Sequence, residues 1–154
     1  LLKDEMKTFV NMHYQLKEKK YFAIGFKNKS QGFEIRSKYA KICIGKKDIT
    51  LIENHSDTIC VFEGFMDYLS YRNSIYQLER KNYDYLILNS VALINKCETI
   101  LNNYNAIELY LDNDKPGEKY TSEILSVYKN AIDKRYLYLK YKDLNDWLIN
   151  TSDE

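Results

Sequence analysis

The spacing of apolar residues changes from one part of the chain to the next. Across residues 1–18 these residues recur every three or four positions, which predicts an amphipathic helix. The next run, YFAIGFKNKSQGFEIRS, predicts two short strands around a polar turn that contains Gly32. Alternating apolar positions in KICIGKKDITLI extend the strand pattern. Residues 1–56 are therefore expected to form a small α+β subdomain that begins with a helix.

From residue 57 onwards, predicted strands alternate with predicted helices. Four runs rich in β-branched and aromatic residues predict strands: TICVFEG, YDYLILN, AIELYLD and RYLYLK. Four segments with helical character lie between and after them: FMDYLSYRNSIYQLERK, SVALINKCETILNNY opened by Ser90, PGEKYTSEILSVYKNA with Pro116 in its first turn, and DLNDWLIN. This alternation predicts an α/β fold with a parallel sheet flanked by helices. Ligands bind such sheets beyond the carboxyl ends of the strands.

Length and composition are those of one globular domain with a small subdomain attached. The chain has 154 residues, of which 45% are hydrophobic. Its apolar runs are shorter than the roughly 18 residues of a membrane-spanning helix, and the start, LLKDEMKTFV, lacks the layout of a signal peptide. We therefore expect a soluble, cytoplasmic protein with no membrane partner. Because the first residue is Leu1 rather than Met, we also expect it to be a piece of a longer chain.

Charge is distributed unevenly along the chain. Residues 15–50 contain ten Lys or Arg against three acids, whereas residues 51–154 contain eleven against seventeen. A basic part beside an acidic part suits an enzyme that holds a polyanion with cations and a metal ion with carboxylates. A solvated lysine-rich surface gives the same pattern, so charge alone leaves both interpretations open.

The cysteines do not form a recognisable metal or disulfide pattern. Cys43, Cys60 and Cys97 have no C-x-x-C pairing, and neither His13 nor His55 lies at a ligand spacing from them. We expect no zinc within this segment, and each cysteine to be a small buried apolar side chain.

Acidic residues fall where predicted strands end. Glu63 ends the first strand of the α/β part, Asp112 and Asp114 end the third, and Asp143 follows the fourth. Alternation along an extended chain points Asp112 and Asp114 the same way. Clustered carboxylates repel one another unless a cation such as Mg²⁺ or Mn²⁺ neutralises them. A lone D-x-D before Pro and Gly is also an ordinary turn, which is the competing interpretation.

Four motifs in order carry a family resemblance. VFEGFMD, LILNSVA, LYLDNDKPGEK and YKDLNDWL resemble the Toprim domain shared by bacterial replicative primases, topoisomerases and some nucleases. The preceding basic segment, FAIGFKNKSQGFEIRSKYAKICIGKKDITLI, resembles the subdomain before Toprim in primase catalytic cores. The resemblance implies a Toprim domain over residues 57–154, preceded by a basic α+β subdomain over residues 1–56, as in bacterial DNA primases.

The resemblance also implies roles for individual acids. Glu63 corresponds to the essential acid of the family, and Asp112 and Asp114 correspond to its metal-binding pair. These three are the implied catalytic residues. Asp67, one helical turn after Glu63, and Asp143 match further acidic positions that would help to bind Mg²⁺ or Mn²⁺. Glu63 is implied either as a ligand or as a proton acceptor.

Two departures from the primase pattern concern the outer part of this site. Primases often continue their last motif as D-P-D, whereas Asp143 is followed by Leu144, Asn145 and Asp146. Glu118 stands where a basic residue is common. A role for Asp146 at the metal is therefore doubtful.

The implied function is that of a DNA-directed RNA polymerase of the primase type in bacterial DNA replication. Mg²⁺-dependent nucleotidyl transfer would make short RNA primers from nucleoside triphosphates on a single-stranded DNA template, with a replicative helicase bound through regions outside this sequence. The cations that could hold template or triphosphate are Arg36, Lys38, Lys41, Lys46 and Lys47.

Other functions fit parts of the same pattern. The same acids serve Toprim nucleases and topoisomerases, although no nucleophilic tyrosine for a topoisomerase can be identified here. A receiver-like signalling domain places its acidic pair after the first strand, unlike this chain. A module that only binds nucleic acid or a partner protein is disfavoured by the retention of Glu63, Asp112 and Asp114.

Overall fold

The chain divides into two compact units between Thr50 and Leu51. The structure is a computed structural model that describes residues 9–16, 19–74 and 83–151. The division falls slightly before the boundary expected after residue 56. Each unit is described separately below.

The first unit contains a four-stranded antiparallel sheet in which neighbouring strands are consecutive in the chain. Its strands are β1 (Phe9–Leu16), β2 (Lys19–Lys27), β3 (Phe33–Arg36) and β4 (Lys41–Ile44). The two strands predicted around the polar turn are therefore confirmed. Asn28 shapes that turn, since its Oδ1 accepts from the backbone N of Gly32 at 2.9 Å and its Nδ2 donates to the Lys46 carbonyl at 2.8 Å.

The helix predicted for residues 1–18 is wrong for residues 9–16, which form β1. Residues 1–8 and 17–18 lie outside the described residues. The sequence FVNMHYQL also alternates between more apolar and more polar positions, with Val10, Met12, Tyr14 and Leu16 two apart. Pairing with β2 runs from Phe9 opposite Phe26 to Leu16 opposite Lys19. This pairing with the next strand along the chain satisfies the backbone hydrogen bonds and decides between two periodicities that the sequence permits.

The second unit is built on a five-stranded sheet in the order β5-β7-β6-β8-β9. Its strands are β5 (Thr50–Ile52), β6 (Thr58–Phe62), β7 (Asp84–Ile87), β8 (Ala106–Tyr110) and β9 (Ala131–Asp133). Strand β6 runs parallel to β7 and β8, and β8 runs parallel to β9. The predicted α/β class with a parallel sheet is confirmed.

Helices connect these strands. They are α1 (Phe65–Asn73), α2 (Glu98–Leu101), α3 (Lys115–Val127) and α4 (Leu144–Thr151), with 3-10 helices at Val91–Lys96 and Arg135–Tyr138. The single helix expected after Ser90 is instead two short helices that meet at Cys97. Ser90 stands at the start of the first, but its side chain makes no capping bond.

The last strand was predicted at the wrong place. RYLYLK was expected to be extended, whereas Arg135–Tyr138 is a 3-10 helix and β9 precedes it. The carboxylate of Asp133 ends the strand, because its Oδ1 accepts from the backbone N of Arg135 at 2.9 Å and its Oδ2 pairs with the guanidinium at 2.9 Å. The hydroxyl of Tyr138 then donates to the Leu111 carbonyl at 2.9 Å, which anchors this segment beneath the end of β8.

The core of the second unit fixes α1 against the sheet. Ile59, Cys60, Val61 and Phe62 of β6 are fully buried. The ring of Phe62 lies 5.8 Å from that of Tyr68 on α1, and 5.1 Å from that of Tyr110 on β8. Among the residues that the structure describes, no helix combines the length and apolar composition needed to cross a membrane.

None of the three cysteines, all of which lie within the described residues, forms a disulfide bond. Cys60 and Cys97 are buried, as predicted, whereas Cys43 is partly exposed on β4.

Candidate metal centre

Three carboxylates from distant parts of the chain meet in the second unit. Asp67, Asp112 and Asp143 each offer an oxygen, and these oxygens all lie within 4.8 Å of one another. Asp67 lies in the first turn of α1, Asp112 follows β8, and Asp143 precedes α4. Because β6 and β8 are parallel neighbours, the segments that leave their carboxyl ends lie side by side.

Gly64 brings Asp67 to this edge. The residue is the N-cap of α1 and has an extended backbone, so the helix begins at Phe65, two residues after Glu63. A Cβ atom at Gly64 would lie 3.2 Å from Oδ2 of Asp67, which is tighter than ordinary contact. The glycine therefore leaves room for the carboxylate beside the turn.

Asn113 joins the loop after β8 to the loop before α4. Its side-chain amide donates to the carbonyls of Tyr138 and Tyr141, both at 2.9 Å, and its backbone N donates to the Lys142 carbonyl at 2.7 Å. These bonds hold Asp112 next to Asp143. The sequence pattern identified the aspartates on either side of Asn113 but gave Asn113 itself no role.

The N-terminus of α4 is held by its own acids. Oδ1 of Asp143 accepts from the backbone N of Asp146 at 2.7 Å, and Oδ2 of Asp146 accepts from the backbone N of Lys142 at 3.1 Å. This reciprocal arrangement caps the helix. Asp146 thus has a structural task, which agrees with the doubt about its role at a metal.

Asp67 is the most buried acid of the group, with 7% of its surface exposed. Burial, followed by the nearby charges of Asp143 and Asp112, raises its pKa to about 8. The backbone N of Asn145, which donates to Oδ1 of Asp67 at 3.2 Å, opposes this shift in part. Asn145 is itself held by the hydroxyl of Ser70, which donates to its Oδ1 at 3.0 Å. At neutral pH, then, Asp67 retains its proton unless a cation favours the carboxylate.

Lys142 places a positive charge at the mouth of the group. Its ammonium lies 3.7 Å from Oδ2 of Asp112 and 3.6 Å from Oδ2 of Asp143. Partial burial opposes the charge, but Asp112, Asp143 and Asp114 outweigh it and raise the pKa of Lys142. With 66% of its side chain exposed, Lys142 can leave the carboxylates at little cost.

The other two predicted acids flank the group of three. Asp114 caps α3, since its Oδ1 accepts from the backbone N of Gly117 at 2.9 Å. Its charge nevertheless reaches Lys142. Glu63 follows β6 directly and has one oxygen, Oε2, shielded from solvent. Within the described residues, the oxygens that lie within 4.8 Å of one another belong to Asp67, Asp112 and Asp143.

The five candidate cations all lie in the first unit, in two groups. Arg36 and Lys41 face each other across β3 and β4, and Lys38 lies in the turn between these strands. Lys46 and Lys47 follow the opposite end of β4. The ammonium of Lys47 is 3.9 Å from Oε2 of the buried Glu34. Lys47 therefore already forms an ion pair with an acid of the same unit.

Gly117 allows close contact between α3 and the loop after β8 that carries Asp112. A Cβ atom on this residue would collide with the backbone carbonyl of Asp112.

An alanine in a helix ordinarily stabilises by about 0.5–1 kcal/mol relative to glycine. We expect the opposite sign for Gly117→Ala, a loss of about 1–3 kcal/mol from overpacking, measured as the free energy of unfolding in urea. Lys115→Ala, at an exposed position of the same turn, should change stability little, and a stabilised Gly117→Ala protein would contradict the close contact.

The raised pKa of Asp67 predicts a pH dependence of stability without metal. In the unfolded chain the carboxyl ionises near its ordinary pKa of 3.8, whereas in the native state it ionises near about 8. The native state therefore binds the proton more tightly than the unfolded chain, and the bound proton stabilises the fold. This stabilisation is complete below pH 3.8 and is lost as pH rises towards 8. We expect the free energy of unfolding, measured in EDTA, to fall between pH 5 and 8 (roughly the window between the two pKa values), and to fall less in Asp67→Asn. Equal slopes for the two proteins would contradict the assignment.

Comparison with known protein families covers the part of the chain that carries all five acids. The sequence profile of a family described as Toprim-like matches residues 60–148, which include Glu63, Asp67, Asp112, Asp114 and Asp143. The chain belongs to the Toprim-like family. A second profile, described as a domain of unknown function (DUF8464), matches residues 3–45. A search of curated proteins returned no match.

Solved structures resemble the Toprim-like chain over most of its length. The primase fragment of the bacteriophage T7 primase-helicase protein aligns with a TM-score of 0.66 at 19% identity, covering 92% of this chain and 62% of that fragment. A chain from the structure of bacteriophage T7 lagging-strand DNA polymerase interacting with primase domains of two gp4 subunits, bound to an RNA/DNA hybrid and dTTP, aligns with a TM-score of 0.60 at 17% identity, covering 92% and 76%. The Toprim-like chain therefore spans less than two thirds of the first fragment and shares its fold. The predicted resemblance to the Toprim domain of primase cores is confirmed.

Proposed function

We propose that this chain is the catalytic core of a DNA primase, a nucleotidyltransferase that makes short RNA primers on single-stranded DNA. The observation that carries the proposal is the convergence of Asp67, Asp112 and Asp143 in a Toprim-like domain. Likeness in fold to a primase fragment supports a polymerase rather than another Toprim activity.

The chemistry of the site suits a divalent cation with a preference for oxygen. All three converging side chains are carboxylates. Burial, followed by the nearby charges of Asp143 and Asp112, raises the pKa of Asp67, so this side chain holds its proton at neutral pH. Asp67, Asp112 and Asp143 would hold Mg²⁺ or Mn²⁺, with Asp114 and Glu63 beside them. Such an ion supplies charge neutralisation for the attacking and leaving oxygens in phosphoryl transfer.

In this proposal the protein side chains accept the proton of the reacting hydroxyl and neutralise the charge of the triphosphate. Transfer joins the 3′-hydroxyl of the primer to the α-phosphorus of a nucleoside triphosphate and releases pyrophosphate. Glu63, directly after β6, would either accept the proton of the hydroxyl or serve as a further ligand. Lys142 would turn from Asp112 and Asp143 towards the triphosphate, because its side chain is exposed and starts beside these acids.

Partners are proposed on the same basis. Single-stranded DNA and nucleoside triphosphates would be held by the cations of the first unit, Arg36, Lys38, Lys41, Lys46 and Lys47. The similar T7 fragment comes from a primase-helicase protein, and we infer a comparable association with a replicative helicase, acting in the cytoplasm during DNA replication.

A primer-synthesis assay distinguishes the candidate activities. The full chain is incubated with single-stranded DNA, labelled nucleoside triphosphates and Mg²⁺ or Mn²⁺, and the labelled products are separated on a denaturing gel. Short labelled RNA that depends on template and metal supports the primase. Shortening of labelled DNA would instead identify a Toprim nuclease, and DNA binding without either product would identify a non-catalytic module.

A further inference from the structure

One residue of α4, Asn145, is bonded to two neighbouring side chains of α1. Its backbone N donates to Oδ1 of Asp67 at 3.2 Å, and its side-chain Oδ1 accepts from the hydroxyl of Ser70 at 3.0 Å. Asp67 and Ser70 are three residues apart on α1, so they lie on the same face of this helix. Asn145 therefore bridges about one turn of α1, with one backbone bond and one side-chain bond.

This bridge is buried where α1 packs against α4. Ser70 is 3% exposed, and Leu144, directly before Asn145, is 1% exposed. A buried hydroxyl that loses its acceptor is unfavourable, because water does not replace the bond. The bond from Ser70 therefore holds Asn145 more firmly than an exposed bond of the same length would.

The position of Asn145 also determines where Asp143 lies. Asp143 stands two residues earlier, and its Oδ1 accepts from the backbone N of Asp146 at 2.7 Å, which fixes the side chain to the first turn of α4. When Asn145 holds α4 against α1, it also holds Asp143 against Asp67. The separation of two of the three converging acids therefore depends on this bridge.

Asp112, the third acid, is held by separate bonds. These are the side-chain bonds of Asn113, which end on carbonyls of the segment before α4 and set Asp112 against Asp143. Asp67 lies on α1 instead, and it is Asn145 that connects this helix to the other acids. The two amides thus have separate tasks.

We propose that Ser70 and Asn145 form a positioning pair, which sets the separation of Asp67 from Asp143 and thereby the affinity of the acids for a divalent cation. Neither side chain needs to touch the ion, because Ser70 holds Asn145 and the backbone N of Asn145 holds Asp67. Residues that hydrogen-bond to metal ligands orient them and strengthen metal binding in this way. The inference rests on the metal binding of the proposed function and adds two residues to it.

An amide at position 145 suits this task. Asn145 offers an acceptor to Ser70 without adding a negative charge next to Asp67, Asp112 and Asp143, which already repel one another. The pair therefore gives a physical reason for the departure from the D-P-D pattern two residues after Asp143.

The affinity of the full chain for Mn²⁺, measured by electron paramagnetic resonance of the unbound ion, tests the proposal. Ser70→Ala and Asn145→Ala are each expected to weaken binding about 10- to 100-fold. Because the two residues act as a unit, the double variant should lose about as much as either single variant, rather than the product of the two losses. Asn145→Asp keeps an acceptor for Ser70 and should bind Mn²⁺ at least as tightly as wild type, since the added charge attracts the cation.

Matched controls remove a hydroxyl from the other ends of the same two helices. Ser74 is 4% exposed after α1 and donates to the Tyr71 carbonyl at 2.8 Å, and Thr151 ends α4 and donates to the Trp147 carbonyl at 2.8 Å. Ser74→Ala and Thr151→Ala should bind Mn²⁺ within about twofold of wild type, whatever stability they lose, because distant sites act independently. Urea unfolding of each variant confirms that binding is compared between folded proteins.

The outcomes separate this pair from the primase assignment. Undiminished Mn²⁺ affinity in Ser70→Ala and Asn145→Ala, equal losses in the controls, or a loss in Asn145→Asp as large as that in Asn145→Ala would overturn the pair. A wild-type chain that binds no Mn²⁺ would overturn the pair and the metal centre together. Primer synthesis is scored separately: the expected Mn²⁺ affinities in a chain that makes no primers would reject the primase and keep the positioning pair.

Discussion

Replacing Asp112 by asparagine is expected to reduce metal-dependent primer synthesis on the order of 100-fold or more, the scale seen when a charge-stabilising group is removed from an active site. The reason is the position of Asp112, which approaches both Asp67 and Asp143 and faces the ammonium of Lys142. Asparagine keeps the shape but removes the negative charge. The ion pair that is lost is with Lys142, whose side chain is 66% exposed. Such a pair contributes about 0–1 kcal/mol, so the fold should persist.

A second measurement makes this prediction more specific than loss of activity. The charge of Asp112 helps to raise the pKa of Asp67, so Asp112→Asn should lower that pKa, seen as a shift of the Asp67 carboxyl titration in NMR. Glu123→Gln is the matched control, because Glu123 is an exposed acid paired with Lys119 on α3. Metal-dependent synthesis at the wild-type rate in Asp112→Asn would exclude this carboxylate group as the catalytic centre.

Replacing Asn113 by alanine is expected to weaken Mn²⁺ binding about 10- to 100-fold, the range found when residues that orient metal ligands are changed. The variant loses two side-chain bonds to the carbonyls of Tyr138 and Tyr141. Asp112 and Asp143 would then no longer be held at a fixed separation. We also expect a loss of about 1–3 kcal/mol in the free energy of unfolding, since carbonyl acceptors lose their donors. Calorimetric titration with Mn²⁺ and urea unfolding measure the two effects.

Asn103→Ala separates positioning from general destabilisation. The side chain of Asn103 donates to the Thr99 carbonyl at 3.0 Å at an exposed site before β8, at the opposite end of this strand from Asp112. This control should leave Mn²⁺ affinity unchanged whatever stability it loses. If Asn113→Ala binds Mn²⁺ as tightly as wild type, Asn113 contributes to folding alone.

The architecture of the second unit was largely predictable because its local signals agree. Strands β6, β7 and β8 are short β-branched or aromatic runs, and Pro116 and Gly117 mark the first turn of α3. Parallel strands then place their carboxyl ends together, so the sequence predicted that acids gather at this edge. It put Glu63, Asp112 and Asp114 at the centre, whereas the structure brings together Asp67, Asp112 and Asp143. Where the sequence permits more than one local pattern, the prediction was wrong. Strand β1 depends on pairing with β2, and the end of β9 depends on the side chain of Asp133.

The details of the site were less predictable, because they depend on contacts between residues far apart in the chain. Asn113 lies between two conspicuous aspartates, and its function depends on carbonyls 25 and 28 residues away. The requirement for Gly117 is visible only when the Asp112 carbonyl is placed against it. Roles of Glu63 and Asp114 in metal binding stay predictions, to be tested by the same Mn²⁺ titration.

The bonds made by Asn113 have a consequence for how this part of the fold can vary. They hold together the two ends of a chain segment that comprises α3, β9 and the 3-10 helix after it. Its far end, near the exposed Lys129 and Asn130, can lengthen at a small entropic penalty, because closure entropy grows slowly with loop length. Insertions or fused domains at this tip would leave the spacing of the acids at the base unchanged, so new modules could be acquired there without rebuilding the edge that carries the acids.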